Sequence, residues 1–187
     1  MPGPVVASGD RVVLRTVERD DAAFLQTAAT DPRVRFSLGM DAHRTEAETR
    51  ERIEEDTESD GALGFVVCLD EDGAPAGRPD EGETTPVGAV HARNLDGVRA
   101  WLGYWLAPAY HSEGYGTEAV ELVVDELFRS HPVHVVSAGA FGHNEASQAL
   151  LESLGFTREG RLRDAWYVDG AYRDGVQYGV LRREWEA

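Results

Sequence analysis

Apolar positions in this chain recur with two spacings that alternate along its length, the two-residue period of strands and the three-to-four-residue period of helices. Arg11-Val12-Val13-Leu14-Arg15 predicts a strand, and Asp20-Asp21 supply helix-start chemistry for Ala22-Ala23-Phe24-Leu25 and beyond, so the order begins strand, helix. Thr45 followed by Glu48 makes a capping box, and Gly61 a stop, for a second helix over 45–59. Strands are predicted over 64–69 and 87–92, separated by the acidic, Gly- and Pro-rich segment 70–86, which has no periodicity and predicts a long, mobile hairpin loop. Residues 99–106 form the next strand, ended by Pro108. Val120, Val123, Val124 and Leu127 follow the i, i+3, i+4, i+7 rule, which predicts an amphipathic helix over 117–129. A buried strand over 133–138 follows, then a helix opened by Asn144, continued through Leu150-Leu151 and Leu154, and closed by Gly155. Strands over 161–168 and 172–181 flank Asp169-Gly170, a dipeptide favoured in tight turns, and close the chain as a hairpin.

This alternation belongs to the α/β class. A length of 187 residues with 42% hydrophobic content is enough to bury a full core, so one domain over 1–187 is expected. No internal repeat or low-complexity tract interrupts it. No run approaches the ~20 apolar residues of a membrane span. The opening MPGPVVASGD lacks the charged and apolar regions of a signal peptide, so a cytoplasmic protein without a membrane partner is expected. The single cysteine, Cys68, sits in an apolar run, reads as an inert core residue, and excludes an intramolecular disulfide. No His/Cys/Asp/Glu cluster has metal-ligand spacing, so no metal is expected.

Charge changes the picture further. There are 34 acidic residues against 18 basic ones, all of the latter arginine, for a net charge of -16. Nucleic acid is disfavoured as a partner, because phosphate binding needs a basic face. The acids are spread over the whole chain, which favours a solvated coat suited to a salty cytoplasm over a field that steers cationic amines.

Candidate chemistry begins where the strand ending at Trp105-Leu106 passes through His111-Ser112-Glu113-Gly114-Tyr115-Gly116-Thr117 into a helix. Exposed N–H groups and the positive end of the helix dipole collect there, and Gly114 and Gly116 let backbone approach a phosphate. Alone, a Gly-x-Gly before a helix is equally well a plain turn. The absence of Gly-x-x-x-x-Gly-Lys-Ser/Thr excludes a nucleotide-hydrolysing P-loop. Downstream come Asn144-Glu145-Ala146-Ser147, then Leu150-Leu151, then Leu154-Gly155-Phe156.

The two segments together resemble the GNAT acetyltransferases. The phosphate loop of that family reads Arg/Gln-x-x-Gly-x-Gly/Ala, and its branch of ribosomal-protein N-terminal acetyltransferases carries Asn-x-x-Ser, a helix, then Gly-Phe. The opening Val12-Val13-Leu14-Arg15 and the closing Asp169-Gly170-Ala171-Tyr172-Arg173-Asp174 look like the same branch, so the resemblance spans nearly the whole chain. It implies a mixed central sheet of about seven strands, flanked by helices, with two central strands splayed apart. It also implies transfer of an acetyl group from acetyl-CoA, the co-substrate, to a primary amine. The coenzyme would lie along the backbone of Trp105 and Leu106, with its phosphates on the loop from His111 to Thr117. A β-strand N–H there would stabilise the oxyanion of acyl transfer. Asn144 and Ser147 would stand beside the sulfur, with Ser147 assisting the departing thiolate, although both also suit a plain helix start.

Two positions depart from the family pattern. His111 replaces Arg or Gln, and Glu113 stands where a basic residue is frequent, which places a carboxylate beside the phosphates. The base that takes the proton of the acceptor ammonium is not named by the sequence. Asp164 and Tyr167 lie in the right region, Trp166 occupies the nearest equivalent position, His91 and His143 are close to the expected cleft, and water is an alternative. For the acceptor, the N-terminal amine of a protein leads over a small-molecule amine such as a polyamine or antibiotic. A CoA-binding module without useful catalysis is the rival from another class, and a nucleotide-binding domain is disfavoured by the missing lysine. Monomer and homodimer remain equally open.

Overall fold

The computed structural model, which describes residues 1–40, 42–57, 61–72 and 74–185, arranges the chain around one eight-stranded sheet. In chain order the elements are β1 (Val5–Ser8), β2 (Val13–Thr16), α1 (Ala22–Thr30), α2 (Pro32–Arg35), α3 (Glu46–Thr57), β3 (Ala62–Asp70), β4 (Thr84–Arg93), β5 (Arg99–Leu106), α4 (Tyr115–Ser130), β6 (Val135–Phe141), α5 (Glu145–Ser153), β7 (Thr157–Val168), β8 (Ala171–Leu181) and α6 (Arg182–Trp185). Strands run in the order β1-β2-β3-β4-β5-β6-β8-β7, and only β5 and β6 are parallel neighbours.

The sequence predicts the class and most elements, with four differences, one of them the short helix α6 that follows the hairpin expected to close the chain. There are eight strands rather than about seven, because Val5–Ser8 forms an edge strand on β2, so the order begins strand, strand, helix. Pro32–Arg35 forms a short helix started by proline at its first turn and by Asp31, whose side chain accepts from the Arg33 N–H. The helix predicted over 45–59 is observed as α3, with its Thr45–Glu48 capping box formed; residues 58 and 59 lie outside those described.

The fourth difference is the segment after β3. A mobile loop was expected there, but Arg15 ties it to the body of the protein. Its guanidinium is fully buried and all five N–H donors are used. Nε and Nη2 grip Asp70 at 3.1 and 2.6 Å, Nη1 donates to the carbonyls of Gly3 and Gly77, and Nη2 also donates to Pro75. Thr84 donates to the same carboxylate at 2.6 Å. One arginine thus fixes the N-terminus, the end of β3, the start of β4 and the loop between them.

The helices cover both faces of the sheet. The α4 stripe Val120, Val123, Val124 and Leu127 packs against Leu14, Val67, Leu102 and Val136, joined by Leu151 of α5. On the other face Ala28 and Val34 pack with Ala89 and Trp105, whose ring stacks on Phe24. Alternation along β5 therefore sends Tyr104 and Leu106 toward α4 and α5, and Trp105 toward α1. Cys68 is fully buried, and burial pushes its thiol up to about 12, so it holds no thiolate at neutral pH.

Removing one member of a buried, hydrogen-bonded ion pair strands the other. Asp70→Ala should therefore cost about 3–5 kcal/mol in denaturant unfolding, whereas Glu46→Ala, which breaks the exposed pair to Arg50, should be nearly neutral. A loss below about 1 kcal/mol for Asp70→Ala would contradict the anchoring role of Arg15.

Candidate active site

The parallel pair β5–β6 is joined over only four residues, from Arg99↔Val135 to Leu102↔Ala138. Beyond that point each strand stays with its outer neighbour. β5 remains paired to β4 as far as Leu106↔Gly88, and β6 to β8 as far as Phe141↔Gly175. A wedge opens between residues 103–106 and 139–141, and the first unpaired position on each side is a glycine, Gly103 and Gly139. A cleft of about 1500 Å³ passes through the wedge, touching α5 on one face and α1, α2 and α3 on the other. Pockets for one small ligand measure about 300–1,000 Å³, so this space has room for two reactants.

At the wide end of the wedge, β5 leads into the turn Pro108–Tyr110 and then into α4. Gly114 caps the helix in the left-handed region, φ +85°, and Ser112 is also left-handed, φ +66°. His111 folds back so that its Nε2 lies 2.9 Å from the Leu106 carbonyl, closing the loop against the strand. The exposed side chain of Glu113 does not line the cleft, and nor does Tyr115, which packs on the core; Ser112, Gly114, Gly116 and Thr117 do line it. Gly116 serves packing, since a Cβ there would meet Leu150 and Leu106 at 3.2 and 3.5 Å. Sequence reasoning missed Arg11. It donates to the Glu113 carbonyl at 2.7 Å, pairs with Glu118 at 3.2 Å and lies over the Tyr115 ring, so a guanidinium stands beside the loop whose own sequence is acidic.

The far wall is the start of α5. Asn144 is its N-cap, accepting from the Ser147 N–H at 3.1 Å, and both residues line the cleft. Ser147 Oγ lies 2.8 Å from the hydroxyl of Tyr104, a β5 residue absent from the predicted site. Burial is the largest influence on that phenol and pushes it up to about 12, so it remains a hydrogen-bond donor through the physiological range. Tyr104 sits in an apolar strand, and only its register opposite Ser147 distinguishes it from a core residue.

The expected base region is split by the fold. Two extra residues between Leu162 and Trp166 make a bulge in β7, with Asp164 at φ +49° and its N–H on Asp174. Trp166 lines the cleft, but Asp164 does not, and the exposed Tyr167 ring packs on Tyr172. His143 stacks on Phe141 without lining the cleft. His91 does line it, with its ring against Gly103.

Open strand backbone, a left-handed helix start and a hydroxyl pair that links β5 to α5 thus meet in one cleft. Residues 11–157 match the profile of the acetyltransferase (GNAT) domain. The chain belongs to the GNAT acetyltransferase family. It is an acetyl-CoA-dependent N-acetyltransferase of that type. The chain is 38% identical over 101 residues to Bacillus subtilis YdaF, a ribosomal N-acetyltransferase by name; the match covers 53% of this chain and about half, 55%, of that relative. It is 26% identical over 181 residues to YokL, a prophage-derived N-acetyltransferase of the same organism, covering 96% of this chain and 94% of YokL. Among solved structures, the spermidine N-acetyltransferase of Vibrio cholerae, in complex with CoA and spermine, shares the fold with a TM-score of 0.83 at 18% identity, over 96% of this chain and 100% of that one. Among the described residues no helix is long and apolar enough to cross a membrane.

A side chain at Gly114 is strained by the left-handed backbone and would meet Arg11 Nη2 at 2.8 Å. Gly114→Val in this acetyltransferase should therefore weaken acetyl-CoA binding by roughly tenfold or more in calorimetry while the protein remains folded by circular dichroism. Unchanged affinity in the folded variant would contradict a phosphate site at this helix start.

Proposed function

We propose that this acetyltransferase acts as one domain on the N-terminal α-amine of a polypeptide, with ribosomal proteins the leading class. The likeness to YdaF and the whole-chain resemblance to the ribosomal-protein branch support that acceptor. A second reading, a small polyamine, draws on the fold shared with the Vibrio cholerae spermidine enzyme.

Acetyl-CoA supplies an activated acetyl thioester. The backbone N–H groups of Tyr104 and Leu106 face the wedge and hold its pantetheine arm, whereas that of Trp105 points to β4, and loop residues His111 to Thr117 cradle the phosphates through backbone N–H groups. Glu113 opposes that contact electrostatically, and Arg11 offsets it from behind the loop. A β5 N–H facing the wedge polarises the carbonyl as the amine attacks, and stabilises the charge that develops on oxygen. Asn144 fixes the first turn of α5, which aims Ser147 into the cleft.

The contact of 2.8 Å between Tyr104 and Ser147 carries the chemical reading. If the phenol donates to Ser147 Oγ, the serine proton is left to face the sulfur as the C–S bond breaks. A thiol pKa of ~8.5 means that this assistance is useful without being indispensable. Ser147→Ala should lower kcat by ~10- to 100-fold with little change in KM for acetyl-CoA. Tyr104→Phe should lower kcat in the same direction, and the double variant should be no worse than Ser147→Ala alone, because the two hydroxyls act as a unit. Steady-state thiol release with a peptide acceptor at saturating acetyl-CoA, alongside melting curves, checks this. A kcat within twofold of wild type for Ser147→Ala would reduce Asn144 and Ser147 to a helix start. Acetyl-CoA binding without thiol release for any amine would favour a binding module over an enzyme.

A further inference from the structure

One stretch of the cleft wall is uncharged, apolar and open. Residues 135–181 are all described, and among the described residues none of the cleft lining between Gly139 and Gln177 carries a charge. On the face that bears Phe141, whose ring reaches Gly39 just beyond α2, this lining is Gly139 and Phe141 of β6, Gly175 and Gln177 of β8, and Leu162 and Trp166 of β7. Leu162 and Trp166 are 43% and 53% exposed, so a large apolar area faces the cleft with nothing over it that removes it from water.

The backbone holds this patch open. Leu162 and Trp166 oppose Gly175 and Arg173, two residues apart on β8, and so share a face despite the bulge between them. Trp166 lies over β8 because Gly175 has no side chain: a Cβ there would come within 2.8 Å of the indole Nε1 and 3.3 Å of its Cδ1. Between this pair and the wedge, Gly139 leaves a bare floor, since a Cβ there would meet nothing nearer than 4.0 Å. Glycine inside a strand suits the close approach of another group. An indole nitrogen only donates a hydrogen bond, so Trp166 takes no proton from the acceptor ammonium and offers apolar area instead.

Distance selects the part of an acceptor that meets this patch. A wedge about two strand spacings wide puts the Trp166 ring about 10 Å from its middle, half the opening plus the one spacing from β6 to β8. A leucine at a peptide's first position ends within about 5 Å of the α-nitrogen, whereas the second Cα already lies about 5 Å out and its side chain reaches about 10 Å. We propose that the acceptor peptide carries a large apolar side chain at its second residue, packed on Trp166 and Leu162 over the Gly139 floor while its α-amine reaches the wedge. This names the substrate class of the site described above and rests on its being an N-terminal acetyltransferase.

The test compares three otherwise identical peptides with leucine, alanine or lysine at the second position, together with spermidine, by thiol release and product mass, and measures peptide binding in the presence of CoA by calorimetry. The leucine peptide should have a kcat/KM roughly tenfold above the alanine peptide, as partial burial of a leucine side chain would give, with the lysine peptide no better than alanine. Trp166→Ala should bring the leucine peptide to within about twofold of the alanine peptide in both kcat/KM and Kd, whereas Trp166→Phe should keep the preference. Retained affinity for acetyl-CoA shows that each variant is folded. Equal values for the leucine and alanine peptides, or a faster lysine peptide, would overturn the proposal and leave the N-terminal acetyltransferase reading standing. So would a leucine preference that survives Trp166→Ala. A preference for spermidine would overturn both, as would a protein that binds acetyl-CoA and acetylates none of the four.

Discussion

The site depends on two neighbouring strands that part after four paired residues. β5 and β6 are each held more firmly on their outer side than to each other, β5 by β4 and β6 by β8, so the sheet opens at its only parallel joint. Opening leaves backbone donors and acceptors facing a gap, which is costly unless water or a ligand satisfies them. That cost makes the gap specific for something with amide-like groups along its length. Glycine at both first unpaired positions keeps the entrance free of side chains, and His91 fills the face of Gly103 without closing the wedge.

The remaining parts of the site are arranged around that opening. α4 begins where β5 ends, so its N–H groups face the wide mouth, and its far end is held by Arg182, which donates to the carbonyls of Phe128, His131 and Val133. Helix α5 begins where β6 ends, and Tyr178 of β8 anchors it through Glu152 at 2.8 Å. Tyr104 then bridges the two sides through Ser147. The arrangement needs no nucleophile from the protein, in keeping with a buried, protonated Cys68.

Much of this was legible in the sequence because its signals are local. The Thr45–Glu48 box, Asn144 as N-cap, left-handed Gly155 after α5, and Asp169-Gly170 with both residues at positive φ all do what their residue types suggest. The strand Val5–Ser8 was hidden because four residues after Pro2 and Pro4 give no periodicity and its pairing comes from β2. The anchoring of the loop after β3 was hidden because its partner, Arg15, lies 55 residues before Asp70 and looks like the polar end of a strand. Tyr104 and Arg11 act through contacts 43 and 102 residues away.

The central claim, that the β5–β6 wedge receives the coenzyme, is open to direct measurement by amide hydrogen exchange with and without CoA. Coenzyme lying in the wedge predicts that the amides of Tyr104 and Leu106 and of residues 112–117 gain protection on adding CoA, while those of residues 99–102, Gly103 and Trp105, already within the sheet, change little. Binding of CoA with no added protection at Tyr104 and Leu106 would contradict it.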